Sequence, residues 1–290
     1  MAATAATVTR AALIALVILC AIPARVPTRG QEHPHRVVSL VPATTEMFFA
    51  MGAGDRLVGL GSYDRFPPEV ATIPRVGGLL DPNTERIIEL RPDLVILYET
   101  QEELKRQLER ANIAYYRYEH RALADITSTI RALGERIGTP QRANDVAVAI
   151  ERDIEAVRRS VAGLDRPSTL LVFSRDPGSL RNITASGGYG FLADLMDVAG
   201  ASNVFGEIQQ QSVQAGTEMI LARRPDVIIE LRYGASAGGR SDDLEKWKTL
   251  ASVPAVRSGR IYVLTGDQFV VPGPRIVLAA RQLAHAIHPR

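Results

Sequence analysis

Residues 84–96, TERIIELRPDLVI, recur as residues 217–229, TEMILARRPDVII. The two stretches share the order T-E-x-I-x-x-x-R-P-D followed by an aliphatic run. Every shared residue is displaced by the same 133 positions, as Glu218 is from Glu85. A gap-free match of this length is typical of two copies of one structural unit. The pattern therefore predicts two similar lobes with a cleft between them.

Each copy of the repeat predicts a helix, a short turn and a buried strand. The opening threonine, Thr84 or Thr217, is predicted to cap the helix, and the glutamate after it then lies in the first turn, where the helix dipole favours negative charge. A residue before proline is driven out of the helical region, so Arg91 and Arg224 are predicted to end the helices. The aliphatic runs that follow are typical of central strands of a parallel sheet.

Strands and helices alternate along the rest of the chain. Apolar runs predict strands at residues 37–41, 57–61, 114–118, 169–173 and 261–264, and helices at 44–51, 102–112, 191–199, around 244–250 and after Pro274. The Gly-rich residues 186–190 are predicted to form a strand-to-helix turn, because no G-K-[ST] follows as in a phosphate loop. The alternation predicts an α/β fold of two similar Rossmann-like lobes with mainly parallel sheets.

One long apolar stripe lies between the two halves. It follows the three-and-four spacing of a helix through Ala143, Val146, Ile150, Ile154, Val157, Val161 and Leu164. A helix of this length, roughly 30 Å, would hold the lobes stiffly, unlike a Gly/Ser linker. The predicted layout is a signal segment at 1–30, an N-terminal lobe at 31–140, a connecting helix at 141–164 and a C-terminal lobe at 165–290.

The start of the chain predicts export. Arg10 precedes an unbroken apolar stretch at residues 11–22, which is shorter than the about 18 residues that a membrane span needs. A cleaved signal is favoured over a lipoprotein signal at Cys20, because Leu19 stands where a small residue is expected. Both alternatives place the protein in the periplasm or otherwise outside the cytoplasm. Cys20 is the only cysteine, so the exported body has no disulfide and no thiolate.

Composition and motifs argue against several functions. A net charge of +2 with scattered basic residues does not indicate nucleic-acid binding. The five histidines form no H-E-x-x-H or similar cluster, and no G-x-S-x-G is present, so neither a metal site nor a catalytic residue is predicted. The chain is therefore predicted not to be an enzyme. A two-domain α/β cleft enzyme, such as a glycosyltransferase or a chelatase-like protein, is the less favoured alternative.

Five stretches in order carry a family resemblance: RVVSLVPATTE at 36–46, GGLLDPNTERIIELRPDLVI at 77–96, the second repeat at 217–229, VPAVRSGRIY at 253–262, and G-D-x-F at 266–269 with P-R-I at 274–276. With two lobes, a long connecting helix and an export signal, the chain resembles the helical-backbone substrate-binding proteins that serve ABC importers of cobalamin, siderophores and haem. The resemblance covers about residues 36–287 and is closest in character to the cobalamin-binding branch.

The resemblance implies capture of one ligand in the cleft and delivery to the transmembrane subunits of an ABC importer. Glu85 and Glu218 match the glutamates that, in this family, lie on the tops of the lobes and meet arginines of those subunits. A glutamate at either position alone would be explained by the helix dipole. The implied partners are the importer and a small-molecule ligand, and the protein is expected to be a monomer without a cofactor of its own.

Four residues are predicted to contact the ligand: Tyr63, Tyr98, Asp267 and Phe269. Each follows the carboxyl end of a predicted strand, where open α/β sheets place their ligands. Aromatic faces suit a large planar macrocycle, and Asp267 can accept hydrogen bonds from its amide side chains.

The ligand is expected to be a metal-containing macrocycle or chelate, with cobalamin favoured and haem or a ferric siderophore left open. Cobalamin binders of this family line the cleft with several tryptophans, whereas the one tryptophan here, Trp247, is expected in the core. Haem calls for an axial tyrosine or histidine, but Leu79 follows Gly77-Gly78. A siderophore calls for clustered arginine and tyrosine, for which Arg65, Arg75 and Arg181 are available.

Overall fold

A computed structural model describes residues 33–234 and 241–289. The predicted signal segment, with Cys20, lies outside the described residues. From Pro34 onward the chain forms one compact unit. It contains two β-sheets and a long helix between them, as the two-lobe α/β prediction requires.

The N-terminal lobe is built on a fully parallel sheet in the order β2-β1-β3-β4. The strands are β1 (Val37–Ser39), β2 (Leu57–Leu60), β3 (Leu94–Tyr98) and β4 (Tyr115–Tyr118). The helices are α1 (Pro42–Ala50), α2 (Thr84–Glu89), α3 (Glu102–Arg110) and α4 (Ala124–Arg136), with short 3-10 helices at Gly54–Arg56 and Pro68–Thr72.

The predicted long helix is present as α5 (Pro140–Ser160), which has 21 residues. Ala143, Ile150 and Val157 are buried, as the apolar stripe predicts. Leu164 is 49% exposed, because α5 ends at Ser160 and Leu164 lies in the turns that follow. The lobe boundaries drawn from the sequence remain a prediction.

The C-terminal lobe has a mixed sheet in the order β10-β9-β5-β6-β8, with β7 also paired to β5. Its strands are β5 (Ser168–Ser174), β6 (Ile183–Ser186), β7 (Ser202–Asn203), β8 (Ser212–Ala215), β9 (Val227–Arg232) and β10 (Ile261–Thr265). Its helices are α6 (Phe191–Val198), α7 (Thr217–Arg223), α8 (Pro254–Arg257) and α9 (Ile276–Ile287), with 3-10 helices at Ser241–Leu250 and Asp267–Phe269. Among the described strands, only the pairings of β6 with β5 and β8 are antiparallel, so the sheets are mainly parallel, as predicted.

One large hydrophobic core joins both lobes to α5 and α9, and a smaller core covers the outer face of each sheet. In β3, Ile96 faces the shared core while Val95 and Leu97 face the outer one, and all three are fully buried. Burial on both faces explains the unbroken apolar run. Trp247 is fully buried in the outer core of the C-terminal lobe, as predicted, and its Nε1 donates to Glu230 Oε1 over 2.6 Å.

The two repeats keep the same backbone conformation where the helix ends. Arg91 and Arg224 both adopt the left-handed conformation, with φ of 48° and 49°, which confirms that these arginines lie outside the helices. The predicted threonine caps are wrong. Each helix begins one residue earlier than the pattern indicated, so that Asn83 caps α2 by accepting from the Arg86 amide over 2.9 Å, while Gly216 precedes α7 without a side-chain cap.

The aspartate of each R-P-D sequence anchors the start of a neighbouring strand. Asp93 accepts the backbone amides of His35 and Arg36, just before β1, over 2.8 and 2.9 Å. Asp226 accepts the amide of Ser168, the first residue of β5, over 3.2 Å. His35 and Ser168 are themselves 133 positions apart. The repeated Asp is thus a structural residue that ties the starts of two adjacent strands together in each sheet.

Replacing these aspartates by alanine is expected to lower the free energy of unfolding by about 1 to 2 kcal/mol for Asp93→Ala and about 1 kcal/mol for Asp226→Ala. The first variant loses two accepted bonds and the second loses one. Urea unfolding measures both. Asp165→Ala is the control, because Asp165 is exposed and makes no hydrogen bond within the described residues. Losses no larger than that of the control would contradict the anchoring role.

Candidate functional site

The two lobes meet through residues that follow the carboxyl ends of their strands. On one side of this meeting surface, Glu46 on α1 and Arg275, just before α9, form an ion pair across the lobes. On the other side, His120, just after β4, lies against Phe191 at the start of α6. The carboxyl edges of the two sheets therefore face each other, which is the arrangement that places a ligand between them.

The Glu46–Arg275 pair is bidentate and largely buried. Arg275 Nε lies 3.0 Å from Glu46 Oε2 and Nη2 lies 2.5 Å from Oε1. The guanidinium carbon stands 4.2 Å from the centre of the Phe66 ring. Burial raises the pKa of Glu46 above its usual value, Arg275 opposes this, and the charge of Asp267 adds to it. The pair joins the lobes beside Asp267, one of the predicted ligand contacts.

An aromatic row connects the lobes on the other side. The Tyr98 and Tyr118 ring centres are 6.1 Å apart, those of Tyr118 and His120 are 5.6 Å apart, and those of His120 and Phe191 are 5.8 Å apart. Burial lowers the pKa of His120, although Asp125 opposes the shift, so the imidazole is neutral at pH 7. The row runs from the end of β3 to the start of α6.

A cavity of about 330 Å³ opens at the same edge of the C-terminal sheet. Aromatic side chains dominate its lining through Phe173, Tyr189, Phe191 and Tyr233, with Gln211 and Ser212 as polar neighbours. Its volume lies near the lower end of the range for small-molecule pockets. The cavity can therefore hold one part of a larger ligand that extends between the lobes.

The Gly-rich loop that presents Tyr189 is the strand-to-helix turn that the sequence predicted, between β6 and α6. A Cβ atom on Gly187 would lie 2.1 Å from the Gln210 carbonyl oxygen, and one on Gly188 would lie 1.9 Å from that of Gly206. Glycine is required here because the backbones touch. The close packing fixes the loop, and Tyr189 stands out from it with 41% of its surface exposed.

Three of the four predicted ligand residues lie at the facing strand ends. Tyr63 is 66% exposed, and its ring lies against Gly78. Tyr98 is partly buried, and burial with the nearby charge of Asp64 raises its pKa to about 12, so its phenol stays protonated. Asp267 Oδ1 accepts the Gly234 amide over 3.0 Å, which fixes the carboxylate between the ends of β9 and β10.

Phe269 departs from the prediction. It is fully buried in the core shared by the lobes, and a ligand could reach its ring only by repacking that core. Position after a strand indicates a loop, but it does not tell which side of a short 3-10 turn faces inward. We therefore leave Phe269 out of the proposed site.

Asp64 is a buried carboxylate beside a predicted ligand residue, and sequence reasoning missed it. It follows Tyr63, is 2% exposed, and neither carboxylate oxygen has a hydrogen-bond partner within the described residues. Burial raises its pKa to about 6, although Thr45 and Arg75 lie near enough to oppose the shift. No sequence pattern marks a buried Asp. By contrast, Phe173 and Tyr233 stand at the ends of β5 and β9, so the rule that selected Tyr98 would have found them.

Asp64→Asn is expected to change how stability depends on pH. Because the folded protein holds the Asp64 proton up to about pH 6 and the unfolded chain releases it near pH 4, the wild type loses stability as pH rises through this window. Asparagine does not titrate. The unfolding free energy of the variant, relative to wild type, should therefore rise by about 2 to 3 kcal/mol between pH 4 and 7.5. Urea unfolding at both pH values measures it, and a difference independent of pH would contradict the shift.

The two repeated glutamates are both exposed and lie in the first turns of α2 and α7, as predicted. Within residues 33–234 and 241–289, neither Glu85 nor Glu218 forms a side-chain hydrogen bond or ion pair. Arg75, in contrast, donates to the carbonyl oxygens of Gly61 and Val70. Its guanidinium therefore supports the loop after β2 and is not free for the anionic groups of a siderophore.

No group of three or more His, Cys, Asp or Glu side chains within the described part of the chain is arranged to hold a metal ion. None of the helices in that part combines the length and the apolar character that crossing a bilayer requires.

Comparison with known proteins identifies the family. The model of the periplasmic binding protein family matches residues 37–268, which is most of the chain. The chain belongs to this family. Membership confirms the predicted class, which is a two-lobed binding protein and not an enzyme.

Relatives and solved structures place the chain among receptors with different ligands. It is 31% identical to the vitamin B12-binding protein of Salmonella typhimurium, over 87% of this chain and 90% of that protein. It is 27% identical to an uncharacterized ABC transporter substrate-binding lipoprotein of Bacillus subtilis, over 89% and 82% of the two chains. The fold matches a periplasmic heme-binding protein from Roseiflexus sp. RS-1 with a TM-score of 0.76 and 28% identity, over 87% of this chain and 97% of that one.

Proposed function

We propose that this protein is the extracytoplasmic receptor of an ABC importer and that its ligand is a cobalamin-like corrinoid. The observation that carries the proposal is the aromatic cavity at the facing strand ends, in a chain that is 31% identical to a vitamin B12-binding protein. Tyr189 and Tyr233 line this cavity in the C-terminal lobe, and Tyr63 offers an exposed ring after β2 in the N-terminal lobe. Asp267 supplies an acceptor for the amide side chains of a corrin ring.

Capture is proposed to need little movement of the lobes. Helix α5 and the shared core join them, and the Glu46–Arg275 pair fixes their carboxyl edges. Closure on the ligand is then a rotation of a few degrees, in contrast to the wide closure of receptors with flexible hinges. A large decrease in the X-ray scattering radius on binding would contradict this.

Delivery is proposed to use Glu85 and Glu218 as contacts with arginines of the transmembrane subunits. Their exposure and their lack of partners in the described structure leave both carboxylates available for this role. The receptor is proposed to act outside the cytoplasm, free after signal cleavage rather than anchored through Cys20. It is also proposed to act as a monomer.

Haem is the second candidate ligand, and the exposed Tyr63 phenol favours it. A tyrosine oxygen can serve as an axial ligand to haem iron, and one of the matching structures is a heme-binding protein. A corrinoid would use only the face of the ring. The two ligands therefore make opposite demands on the Tyr63 hydroxyl group.

Substitutions of Tyr63 separate these alternatives. Tyr63→Ala is expected to weaken corrinoid binding about tenfold, because it removes a stacking contact worth about 1 to 1.5 kcal/mol. Tyr63→Phe should stay within about threefold of wild type, because the ring face remains. Calorimetric titration with cyanocobalamin measures both. Haemin binding that is lost in Tyr63→Phe, together with a changed Soret band, would show iron ligation instead.

A further inference from the structure

Helices α2 and α7 repeat the same exposure at each position. In both helices the first residue is partly buried, the fourth is buried, and the second, third, fifth and sixth are exposed. The buried position is Ile87 in α2 and Ile220 in α7, with 0% and 1% of the surface exposed. Core packing accounts for the matching isoleucines. The four exposed positions contribute no residue to the three hydrophobic cores of the described structure.

Two of the four exposed positions nevertheless keep their chemistry in both lobes. One is the glutamate pair, Glu85 and Glu218, and the other is an aliphatic pair, Ile88 and Leu221, which are 41% and 38% exposed. The remaining two positions differ: Arg86 corresponds to Met219, and Glu89 corresponds to Ala222. Exposed helix positions tolerate substitution with little effect on stability. Retention of both a carboxylate and a large aliphatic residue therefore points to a role that the two lobes share.

The retained residues are neighbours on the helix surface. Glu85 and Ile88 are three positions apart, as are Glu218 and Leu221, and residues at this spacing lie on one face of a helix. The exposed part of an aliphatic side chain gains nothing from water and becomes favourable when a partner covers it. An apolar neighbour also keeps water from an adjoining ion pair, which strengthens the attraction between the charges.

We infer that Glu85 with Ile88, and Glu218 with Leu221, form two equivalent docking points for the two transmembrane subunits of the importer. Each docking point is a carboxylate beside an aliphatic side chain. The matching surface on each subunit is a cation beside an apolar pocket. Because the docking point is duplicated on this chain, the partner must offer two equivalent surfaces of this kind. The inference rests on the proposed importer function and adds the aliphatic half of the contact.

The test measures binding of fluorescently labelled protein to right-side-out membrane vesicles from the source cells. The component of binding that disappears in the double variant Glu85→Arg, Glu218→Arg defines specific docking. Ile88→Ser and Leu221→Ser are each expected to weaken that component roughly threefold to sevenfold, and together by about tenfold or more. Met219→Ser is the matched control, since Met219 is also apolar and exposed on α7 but its counterpart in α2, Arg86, is not apolar.

Weaker docking in both serine variants, with Met219→Ser and the calorimetric affinity for cyanocobalamin unchanged, supports the inference. Docking within twofold of wild type in the Ile88→Ser, Leu221→Ser double variant overturns it while leaving the glutamate contacts intact. Binding that the glutamate reversals do not change overturns the proposed docking function itself. Circular dichroism of each variant excludes misfolding as the cause.

Discussion

Replacing Arg275 by methionine is expected to lower the free energy of unfolding at pH 7.5 by about 3 kcal/mol, because it leaves the Glu46 carboxylate buried without its partner. The Glu46 side chain is 4% exposed, and both of its oxygens accept from Arg275. The variant also loses the cation that lies over Phe66. Urea unfolding monitored by the circular dichroism signal measures the loss.

The loss should be larger at high pH than at low pH. The pKa of Glu46 is already raised by burial, and removal of Arg275 takes away the main opposing influence. The folded variant then binds a proton that the unfolded chain has released, so its stability rises as pH falls through the raised pKa. Unfolding at pH 8 and pH 5 should therefore show a smaller penalty at pH 5.

The matched control is the double variant Glu46→Gln, Arg275→Met. A neutral amide carries no charge that needs compensation, so the double variant should recover at least half of the loss at pH 7.5. A single variant within 1 kcal/mol of wild type would contradict a structural ion pair between the lobes. So would a penalty that does not change with pH.

Reversal of both repeated glutamates, Glu85→Arg with Glu218→Arg, is expected to reduce cyanocobalamin uptake to background while leaving ligand affinity unchanged. In the proposed docking contact, each substitution would turn an attraction to an importer arginine into repulsion, which costs several kcal/mol at an interface. Both residues lie on exposed helix starts, away from the aromatic cavity. Uptake of radiolabelled cyanocobalamin, by cells whose only copy is the variant, measures the effect.

The control variant reverses the charge at two other exposed glutamates, with Glu89→Arg on α2 and Glu207→Arg in the C-terminal lobe. It changes the net charge by the same amount, so a general electrostatic effect would appear in both variants. We expect normal uptake in the control. Uptake at the wild-type rate in the Glu85→Arg, Glu218→Arg variant would remove the docking assignment, while reduced calorimetric affinity would show that the glutamates belong to the ligand site.

The repeated sequence was enough to predict the fold because its elements are local. A proline stops each helix, an aliphatic run follows it, and α5 shows its stripe over many turns. Short strands were harder to predict from the sequence. Strands β6 and β8 have the sequences ITAS and SVQA, which carry too few apolar residues to be recognised as strands. Their pairing depends on neighbours already in the sheet, as their antiparallel registers with β5 and each other show.

The candidate site was predicted only as far as strand ends could be recognised. Tyr63, Tyr98 and Asp267 lie where that rule placed them, whereas Phe269 turns inward. The Glu46–Arg275 pair joins residues 229 positions apart, and no local pattern relates them. Asp64 was missed because its raised pKa follows from burial, which no local sequence pattern records.

Calorimetric titration of the purified protein with cyanocobalamin, haemin and a ferric siderophore compares the three candidate ligands in one assay. We expect one cyanocobalamin per chain with a dissociation constant in the micromolar range or tighter, and binding of haemin and the siderophore at least about tenfold weaker. Micromolar or tighter binding of haemin, with no heat on addition of cyanocobalamin, would contradict the proposal of a corrinoid ligand.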